Sequence, residues 1–387
     1  MNLDKKIWRQ LSITTIIRTV YSTGFRMVFP YQPIFMKSLG IELAQMTRLI
    51  AGQSLVGIFS PFLASMSDTR GRKTGMLTGM IIFCLGSLVV VFQPTILGFF
   101  LFLVFSLLGK SIFDPSVQAY FGDQVPYQRR GLVLAISEMS WSMSFFIGVP
   151  ALGFLMNQFG LLAPFLVLAI LGLISFLVII LIIPADPIDK KTQRSTLSNF
   201  GLVFQSRSAL AGLGVMLLIC FANQVVNVVF GVWLNESYGF QIAALGGASV
   251  VIGISELIGE GGVGLVSDRL SKQKAVLFGV IGNILASILL PFLGVTVWGA
   301  YLGLFLFYLT FEFTIVSVIP LMTGVLPEAR ATVMALNIAS ASLGRGIGSL
   351  IAAPLFAWGF GLNAAFAAIV NLLAIISLRY VLVKEES

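Results

Sequence analysis

The chain has 387 residues, of which 57% are hydrophobic and 10% are charged, and its mean hydropathy is +0.98. In soluble proteins about a quarter of the residues are charged, so this composition excludes a soluble globular protein and indicates a membrane protein. The formal net charge of +8 does not indicate nucleic-acid binding, because the basic residues stand in short loops between apolar runs. There is no histidine, and Cys84 and Cys220 both lie in apolar segments, so we expect neither a metal site nor a disulfide framework.

Apolar segments predict an all-α membrane protein with twelve transmembrane helices, because a helix needs about 20 residues to cross a hydrocarbon core about 30 Å thick. The predicted bounds are 10–36, 43–66, 74–93, 95–122, 131–156, 161–184, 209–234, 241–266, 274–294, 297–325, 331–357 and 361–382. Six helices form a predicted N-terminal bundle, residues 1–184, and six a C-terminal bundle, residues 209–387. The polar linker between them, residues 185–208, is either a tether or contains a short amphipathic helix at the membrane surface.

The loop charges predict the orientation in the membrane. Almost all Lys and Arg residues of the loops lie on one side of the predicted spans, and the other side has essentially Lys37 alone. By the positive-inside rule, both termini and the linker lie in the cytoplasm. We therefore expect a multi-pass protein of the bacterial cytoplasmic (inner) membrane, surrounded by membrane lipids and without an outer domain.

Two polar loops recur about 200 residues apart and predict a tandem repeat. Ser65 to Lys73 reads SMSDTRGRK, and Asp268 with Arg269 stands at the same place in the second half. The loop VPYQRRG, at residues 125–131, has a second counterpart in LPEARAT, at residues 326–332. Because both pairs of loops are separated by nearly the same number of residues, the chain consists of two halves whose segments follow in the same order.

These features resemble the major facilitator superfamily, and the resemblance covers almost the whole chain. The family signature GxxxDRxGRK lies between its second and third helices, where residues 64–73 read ASMSDTRGRK and depart from it at Ala64 and Thr69. The resemblance implies two six-helix bundles that rock about a midplane site, and hence a secondary transporter that works by alternating access.

In this family the signature loop acts as a conformational latch on the cytoplasmic side. The alternative is that these charges only set the topology. In the present chain the resemblance implies a latch made of Asp68, Gly71, Arg72, Lys73, Asp123, Asp268 and Arg269, with Arg72 pairing with Asp123.

A second family feature concerns the fifth helix. Exporters of this family that exchange substrate for protons often carry GxxxGPxxGG there, and SFFIGVPALG matches it in part through Gly148, Pro150 and Gly153. Close helix packing alone also requires small residues at these places. Export and packing are therefore both open readings of this motif.

Nine ionisable residues fall inside the predicted spans and away from their ends. Each costs about 2.5 to 3.5 kcal/mol near the bilayer centre, so we expect them to face protein or water. The resemblance implies a cavity lined by the first, fourth, seventh and tenth helices, among others. The nine residues are Arg18, Arg26, Lys110, Asp114, Glu138, Glu256, Glu260, Glu312 and Arg345.

Spacing adds polar and aromatic neighbours to these charges. Lys110, Asp114 and Gln118 recur every four residues, so the first two can form a salt bridge. The amides of the seventh span either orient a substrate or bond neighbouring helices. Trp141 follows Glu138 by about one turn, which sets an acid among aromatic rings. The predicted substrate-binding set is Arg18, Arg26, Lys110, Asp114, Gln118, Trp141, Asn223, Gln224, Asn227, Tyr308, Glu312 and Arg345.

Five acids face four bases inside the spans, so at least one acid lacks a full basic partner. In low dielectric such a carboxyl group favours its protonated form, so it can carry a proton across the membrane. We rank Glu312 first as the proton carrier, then Glu138, then Glu256; the alternative is an acid that is permanently protonated or pairs with solvent. We expect no cofactor and the proton gradient as energy source, because no GxxxxGK[ST] phosphate loop is present.

The sequence thus predicts a monomeric proton-coupled exporter of a small lipophilic or amphiphilic, lipid-like compound. The first alternative is an importer or facilitator of an organic anion or polar metabolite, with Arg18 and Arg26 as the anion site. An alternative of another class is a non-transporting membrane sensor or scaffold. We do not expect an enzyme, because no nucleophile has a base at a workable spacing.

Overall fold

The computed structural model describes residues 4–60, 62, 71–184, 200–266 and 271–382. Within these ranges the chain forms helices joined by turns, and no strand occurs in them. The helices are α1 Lys5–Arg26, α2 Gln32–Leu39, α3 Leu43–Val56, α4 Arg72–Phe92, α5 Ile96–Gln124, α6 Tyr127–Glu138, α7 Ser140–Met143, α8 Val149–Phe159, α9 Ala163–Ile182, α10 Phe200–Gln205, α11 Arg207–Asn227, α12 Phe230–Tyr238, α13 Ile242–Val266, α14 Lys272–Leu293, α15 Val297–Val325, α16 Arg330–Phe356 and α17 Phe360–Leu378.

In the described part of the chain, 10 helical stretches are long and apolar enough to cross a membrane. They correspond to the third to twelfth predicted spans. The first predicted span coincides with α1 and α2, which carry Arg18, Arg26 and several hydroxyl side chains. The second coincides with α3, of 14 residues, and most of its remainder lies outside the described residues. The chain is therefore an all-α, multi-pass membrane protein, as its sequence predicts.

The first and seventh predicted spans are both interrupted, at corresponding places of the two halves. Residues 27–31 separate α1 from α2, and residues 228–229 separate α11 from α12. Breaking a helix releases backbone groups that need new partners. At the second interruption the side chain of Asn363 meets this need, since its Nδ2 donates to Val225 O at 3.0 Å.

The internal repeat extends to the ends of the helices. Thr95 and Thr296 cap α5 and α15 in the same way, with a hydroxyl that accepts from the backbone of the helix's first turn. Lys73 Nζ donates at 2.7 Å to a carbonyl in the last turn of α9, and Gln273 Nε2 donates at 3.1 Å to the corresponding carbonyl of α17. Each pair is about 200 residues apart, like the two loops.

The contacts divide the chain into two compact units. Unit 1 consists of Met1–Gly40, Phe62–Gln193 and Gln241–Val250, and unit 2 consists of Ile41–Pro61, Arg194–Phe240 and Val251–Ser387. Helix α3 belongs to unit 2, where Gly346 of α16 packs closely against Leu55. The division by chain order into bundles 1–184 and 209–387, joined by linker 185–208, stays a prediction.

The described part of the linker contains the short helix α10. Its Val203 is fully buried in the apolar core of unit 2, while Leu202 and Phe204 are exposed. This helix therefore presents apolar side chains outward, as expected of a segment at a membrane surface. Residues 185–199 lie outside the described residues.

Small residues set the distance between α11 and α16 in unit 2. A Cβ atom added at Gly348 of α16 would lie 2.8 Å from Gln224 Cβ and 2.9 Å from Phe221 O. The two helices thus approach until backbone meets backbone, which a side chain at Gly348 prevents.

Replacement of Gly348 by Ala tests this packing. We expect Gly348→Ala to destabilise the protein by about 1 to 3 kcal/mol, because an overpacked contact with backbone cannot relax by a rotamer change. Gly261→Ala is the matched control, since no atom lies within 4 Å of a Cβ there and alanine favours a helix. Thermal unfolding of the purified proteins in detergent measures both, and equal midpoints would contradict the packing described.

Candidate functional site

Four charged side chains of unit 1 form one connected cluster, here called the ion network: Arg18, Lys110, Asp114 and Glu138. Arg18 Nε donates to Asp114 Oδ1 at 3.1 Å, and its Nη1 and Nη2 donate to the two oxygens of Glu138 at 2.9 and 3.3 Å. Lys110 Nζ donates to Asp114 Oδ2 at 2.6 Å. Each acid therefore has a basic partner, which is the condition for burying charge away from water.

Three polar side chains hold the ion network in place. Ser137 Oγ accepts from Arg18 Nη1 at 2.7 Å, and Ser22 Oγ accepts from Lys110 Nζ at 3.3 Å. Gln118 Nε2 donates to Glu138 Oε1 at 2.9 Å. The predicted polar stripe on α5 is thus used along its length, with Lys110 and Asp114 bonded to each other and Gln118 turned to the end of α6.

The two carboxylates of the ion network differ in exposure. The side chain of Arg18 is 3% exposed and that of Asp114 is 16% exposed, whereas that of Glu138 is 45% exposed. A charged group of a membrane protein faces water rather than lipid because of the cost of burial in hydrocarbon. Glu138 is therefore the more exposed of the two acids of the ion network.

Arg26 stacks on two aromatic rings next to the ion network. Its guanidinium carbon lies 4.1 Å from the ring centroid of Trp141 and 3.5 Å from that of Phe145. Its Nη1 also donates to Trp141 O at 2.8 Å. Lys110 Nζ lies 5.3 Å from the same Trp141 ring, so the stack and the ion network share this tryptophan as a neighbour.

The fifth predicted span is segmented between these two features. α6 ends at Glu138, α7 follows it, and a π-helical turn at Ser144–Gly148 leads into α8. Such turns are rare and frequently mark functional sites. Gly148 packs against Thr23 of α1, and Tyr31 donates to Val149 O at 3.0 Å. The glycine and proline motif therefore packs against the first span, and its role in export stays a prediction.

In unit 2 the predicted amides form a chain of hydrogen bonds, here called the amide chain. Tyr308 donates to Asn227 Oδ1 at 2.6 Å, and Asn227 Nδ2 donates to Gln224 Oε1 at 3.2 Å. Gln224 Nε2 in turn donates to Ser349 Oγ at 2.9 Å. The amide chain joins α15, α11 and α16, so of the two roles foreseen for these amides the structure shows helix bonding for Gln224 and Asn227.

Asn223 differs from its neighbours on α11. It is 6% exposed, and its Nδ2 has no partner among the described residues. On α15, the predicted proton carrier Glu312 is 5% exposed, and Gly259 of α13 packs against its Cβ. Glu256 is 1% exposed. Both acids interact with neighbouring groups, and their role as proton carriers stays a prediction.

With the geometry in view, the comparisons with known proteins decide the family. The sequence profile of the Major Facilitator Superfamily matches residues 14–349. The chain belongs to this superfamily. Its fold and family are those of membrane transporters, which are not enzymes.

Relatives and solved structures of superfamily members agree with this assignment. The uncharacterized MFS-type transporter YceJ of Bacillus subtilis is 26% identical over 95% of this chain and 94% of its own. The multidrug resistance protein MdtG of Proteus mirabilis is 26% identical over 72% of each chain. The human organic anion transporter MFSD10 covers 97% of this chain and 100% of its own, with a TM-score of 0.75 and 16% identity. The nucleoside transporter NupG covers 96% of this chain and 99% of its own, with a TM-score of 0.78 and 15% identity.

The superfamily signature loop is described in part. Arg72 Nε lies 3.3 Å from Asp123 Oδ2, the partner that the sequence suggests, and the two side chains are 23% and 63% exposed. Gly71, at φ +94°, precedes α4 in a conformation that favours glycine. Exposed pairs of this kind contribute about 0 to 1 kcal/mol, so the pair can form and break easily. Asp68, Asp268 and Arg269 lie outside the described residues, and the latch role stays a prediction.

Sequence reasoning missed the hydroxyl groups that support both clusters. Ser22 and Ser349 each stand four residues after an arginine, Arg18 and Arg345, and so share a helix face with it. That spacing is the signal that points to them. Ser137 precedes Glu138 directly, and no pattern distinguishes it from other serines. In the described ranges no group of His, Cys, Asp and Glu residues is arranged to hold a metal ion.

Removal of Arg18 tests the ion network. We expect Arg18→Met to destabilise the protein by about 1 to 3 kcal/mol, because buried Asp114 keeps only Lys110 of its two basic partners and half-exposed Glu138 loses Arg18. The double variant Arg18→Met with Glu138→Gln should regain part of this loss, since one of the two charges is gone. Arg48→Met is the control, because Arg48 is exposed on α3. Thermal unfolding in detergent is the measurement, and a midpoint for Arg18→Met equal to that of the control contradicts the network.

Proposed function

We propose that this transporter exports a small lipophilic or amphiphilic compound in exchange for protons, by alternating access. One observation carries the proposal: a single buried arginine, Arg18, holds two carboxylates, and one of them is 45% exposed. When two acids share one arginine, one acid can give up its bond to the arginine while the other acid keeps the arginine paired. Such an arrangement suits proton exchange, because one acid can take up a proton while the other keeps the arginine paired.

Protonation of Glu138 changes the ion network in a defined way. A neutral carboxyl group keeps a hydrogen bond to Arg18 but loses its charge attraction, so the two bonds to Arg18 weaken. Asp114 then keeps both Arg18 and Lys110 and balances them less fully. The end of α6 is thereby held less tightly to α1, with the bond from Arg18 to Ser137 remaining, and this loosening is the proposed step that links proton binding to movement.

Substrate binding is proposed at the segment that follows Glu138. Trp141 lies three residues further along, and its partly buried ring lies next to Arg26, which also stacks on the fully buried ring of Phe145. A lipophilic compound gains by covering the Trp141 ring. The name of the multidrug resistance protein MdtG, a relative at 26% identity, supports an export role.

The choice of Glu138 as proton carrier differs from the order of the sequence analysis. There Glu312 comes first, but it is 5% exposed, and Glu256 is 1% exposed. A carrier has to meet water on each side in turn, and among these three acids Glu138 is the most open. Glu312 and Glu256 remain the next candidates, in that order.

The location and assembly are part of the same proposal. The loop charges support the bacterial cytoplasmic membrane, with both termini and the linker in the cytoplasm. Relatives from Bacillus and Proteus support a bacterial membrane. We propose a monomer that uses the proton gradient and no cofactor, and whose partners are its substrate and membrane lipids.

A second candidate function is the transport of an organic anion. It is favoured by two cations beside one aromatic ring, Arg26 and Lys110 next to Trp141, and by the name of the structural neighbour MFSD10. Arg18 adds little to such a site, because each of its three guanidinium nitrogens already donates to a neighbour. An anion site would therefore rest on Arg26.

Accumulation of lipophilic fluorescent compounds in efflux-deficient bacteria tests the export proposal. Cells with the wild type should accumulate less of at least one compound than cells with an empty vector, and a protonophore should abolish the difference. Glu138→Gln should accumulate as much as the empty vector, because its side chain cannot ionise. Glu236→Gln, a change at an exposed acid, is the control and should behave as the wild type.

Each outcome of this assay separates the candidates, provided that expression of the variants is equal. If Glu138→Gln keeps the wild-type activity and Glu312→Gln loses it, Glu312 carries the proton. Uptake of carboxyfluorescein that Arg26→Ala abolishes, without an effect on lipophilic compounds, favours the organic-anion transporter. No flux of either kind contradicts transport and leaves the sensor or scaffold.

A further inference from the structure

The amide of Asn223 contains a hydrogen-bond donor that the fold leaves unused. The residue is 6% exposed, and Nδ2 has no acceptor among the residues that the structure describes. A buried donor without an acceptor destabilises the state that contains it. In a native protein such a group needs an explanation, and a bound molecule that supplies the acceptor is one of them.

The neighbouring amide nitrogens of this polar region each have an acceptor, which the nitrogen of Asn223 lacks among the described residues. Gln224 Nε2 donates to Ser349, and Asn227 Nδ2 donates to Gln224. Asn363, across the interruption, donates to Val225 O and Ala352 O. The unused donor is therefore a property of Asn223 and not of this polar region as a whole.

The register between α11 and α15 locates Asn223 along the helices. Asn227 contacts Tyr308, and Gly212, four turns earlier on α11, packs against Met322, four turns later on α15. The two helices are therefore antiparallel at this contact. One turn from Asn227 toward Gly212 leads to Asn223, and one turn from Tyr308 toward Met322 leads to Glu312. Asn223 thus lies at the level of the buried acid of α15.

Asn223 also lies one turn before the interruption at residues 228–229. The first span has its interruption at the corresponding place, residues 27–31. In transporters built from repeats, discontinuous helices at corresponding positions of the two halves mark the substrate site. The unused donor and the interruption are independent observations, and both point to the same stretch of α11.

We infer that Asn223 Nδ2 binds a hydrogen-bond acceptor of the transported compound, and that the substrate class is therefore lipophilic compounds with a carbonyl or ether oxygen. The inference rests on the proposed export of lipophilic compounds. A hydrocarbon leaves the donor unpaired, and a protonated amine, which only donates, cannot satisfy it. A carbonyl oxygen accepts this bond and leaves the rest of the molecule free for apolar contacts.

Matched pairs of probes test the inference by binding alone. The pairs are benzophenone with diphenylmethane and fluorenone with fluorene, each differing by a carbonyl in place of a methylene group. Dissociation constants are measured by thermal shift on the purified full-length protein. For at least one pair the wild type should bind the ketone about 2- to 10-fold more tightly than the hydrocarbon, the ratio expected of one neutral hydrogen bond.

The variant Asn223→Leu removes the donor at similar volume and should bring this ratio to about one, while the hydrocarbon binds at least as well as before. Asn371→Leu is the control in the same unit, because the Asn371 amide already donates to Asn283 Oδ1 at 2.8 Å. It should keep the wild-type ratio even if it lowers the unfolding midpoint. Asn223→Leu without ligand should be as stable as the wild type or more so.

Several results overturn the inference. The first is a ratio of ketone to hydrocarbon affinity that Asn223→Leu leaves unchanged. The second is an equal loss of affinity for both compounds of a pair in Asn223→Leu. The third is that the wild type binds none of the ketones. Binding needs neither a proton gradient nor a direction of transport. A ketone preference that Asn223→Leu abolishes, in a protein that exports nothing, therefore supports the inference and contradicts the export proposal. If the protein exports dyes but binds no ketone in preference to its hydrocarbon, the result supports the export proposal and contradicts the inference about Asn223.

Discussion

Charge in an apolar environment persists only when it is paired, and in unit 1 the side chain of Arg18 satisfies this condition for two acids at once. It bonds Asp114 at 3.1 Å and Glu138 at 2.9 Å, and both acids lie far from it along the chain. The arginine thereby ties α1 to α5 and to the end of α6. The same three helices contribute the other polar contacts of this cluster. A change of charge at any one member consequently acts on all three helices.

The positions of these helices depend on close approach as well as on charge. Gly148 lets the π-helical turn before α8 pack against α1, and Gly348 lets α16 approach the backbone of α11. Less regular backbone occurs at the two interruptions, residues 27–31 and 228–229, and at the π-helical turn Ser144–Gly148. Each lies beside a polar cluster. Rigid contacts therefore flank the interrupted segments, and movement driven by a proton or a substrate is expected at those segments.

The sequence was sufficient for features that depend on local pattern. Apolar lengths predict the spans, and the four-residue spacing predicts the bond between Lys110 and Asp114, which the structure shows at 2.6 Å. The sequence did not predict which charges pair between distant segments, because nothing in the spacing connects Arg18 with Glu138. A count of acids and bases shows that charges must pair but not which ones do. The seventh span is interrupted at Val228 and Val229, and neither of these positions holds a proline or a glycine that would predict the interruption. The hydrogen bonds that Gln224 and Asn227 make between helices could not be read from the sequence, and the role of the seventh-span amides in substrate binding stays a prediction.

The central claim is that a proton taken up at Glu138 drives export. Proton movement by the purified protein in liposomes that enclose a pH-sensitive dye tests it most directly. An inward gradient of the compound that the wild type exports most strongly should drive protons the opposite way, and Glu138→Gln should move the compound without moving protons or not move it at all. Compound movement by the wild type with no pH change, or an unaltered pH change with Glu138→Gln, would contradict the account.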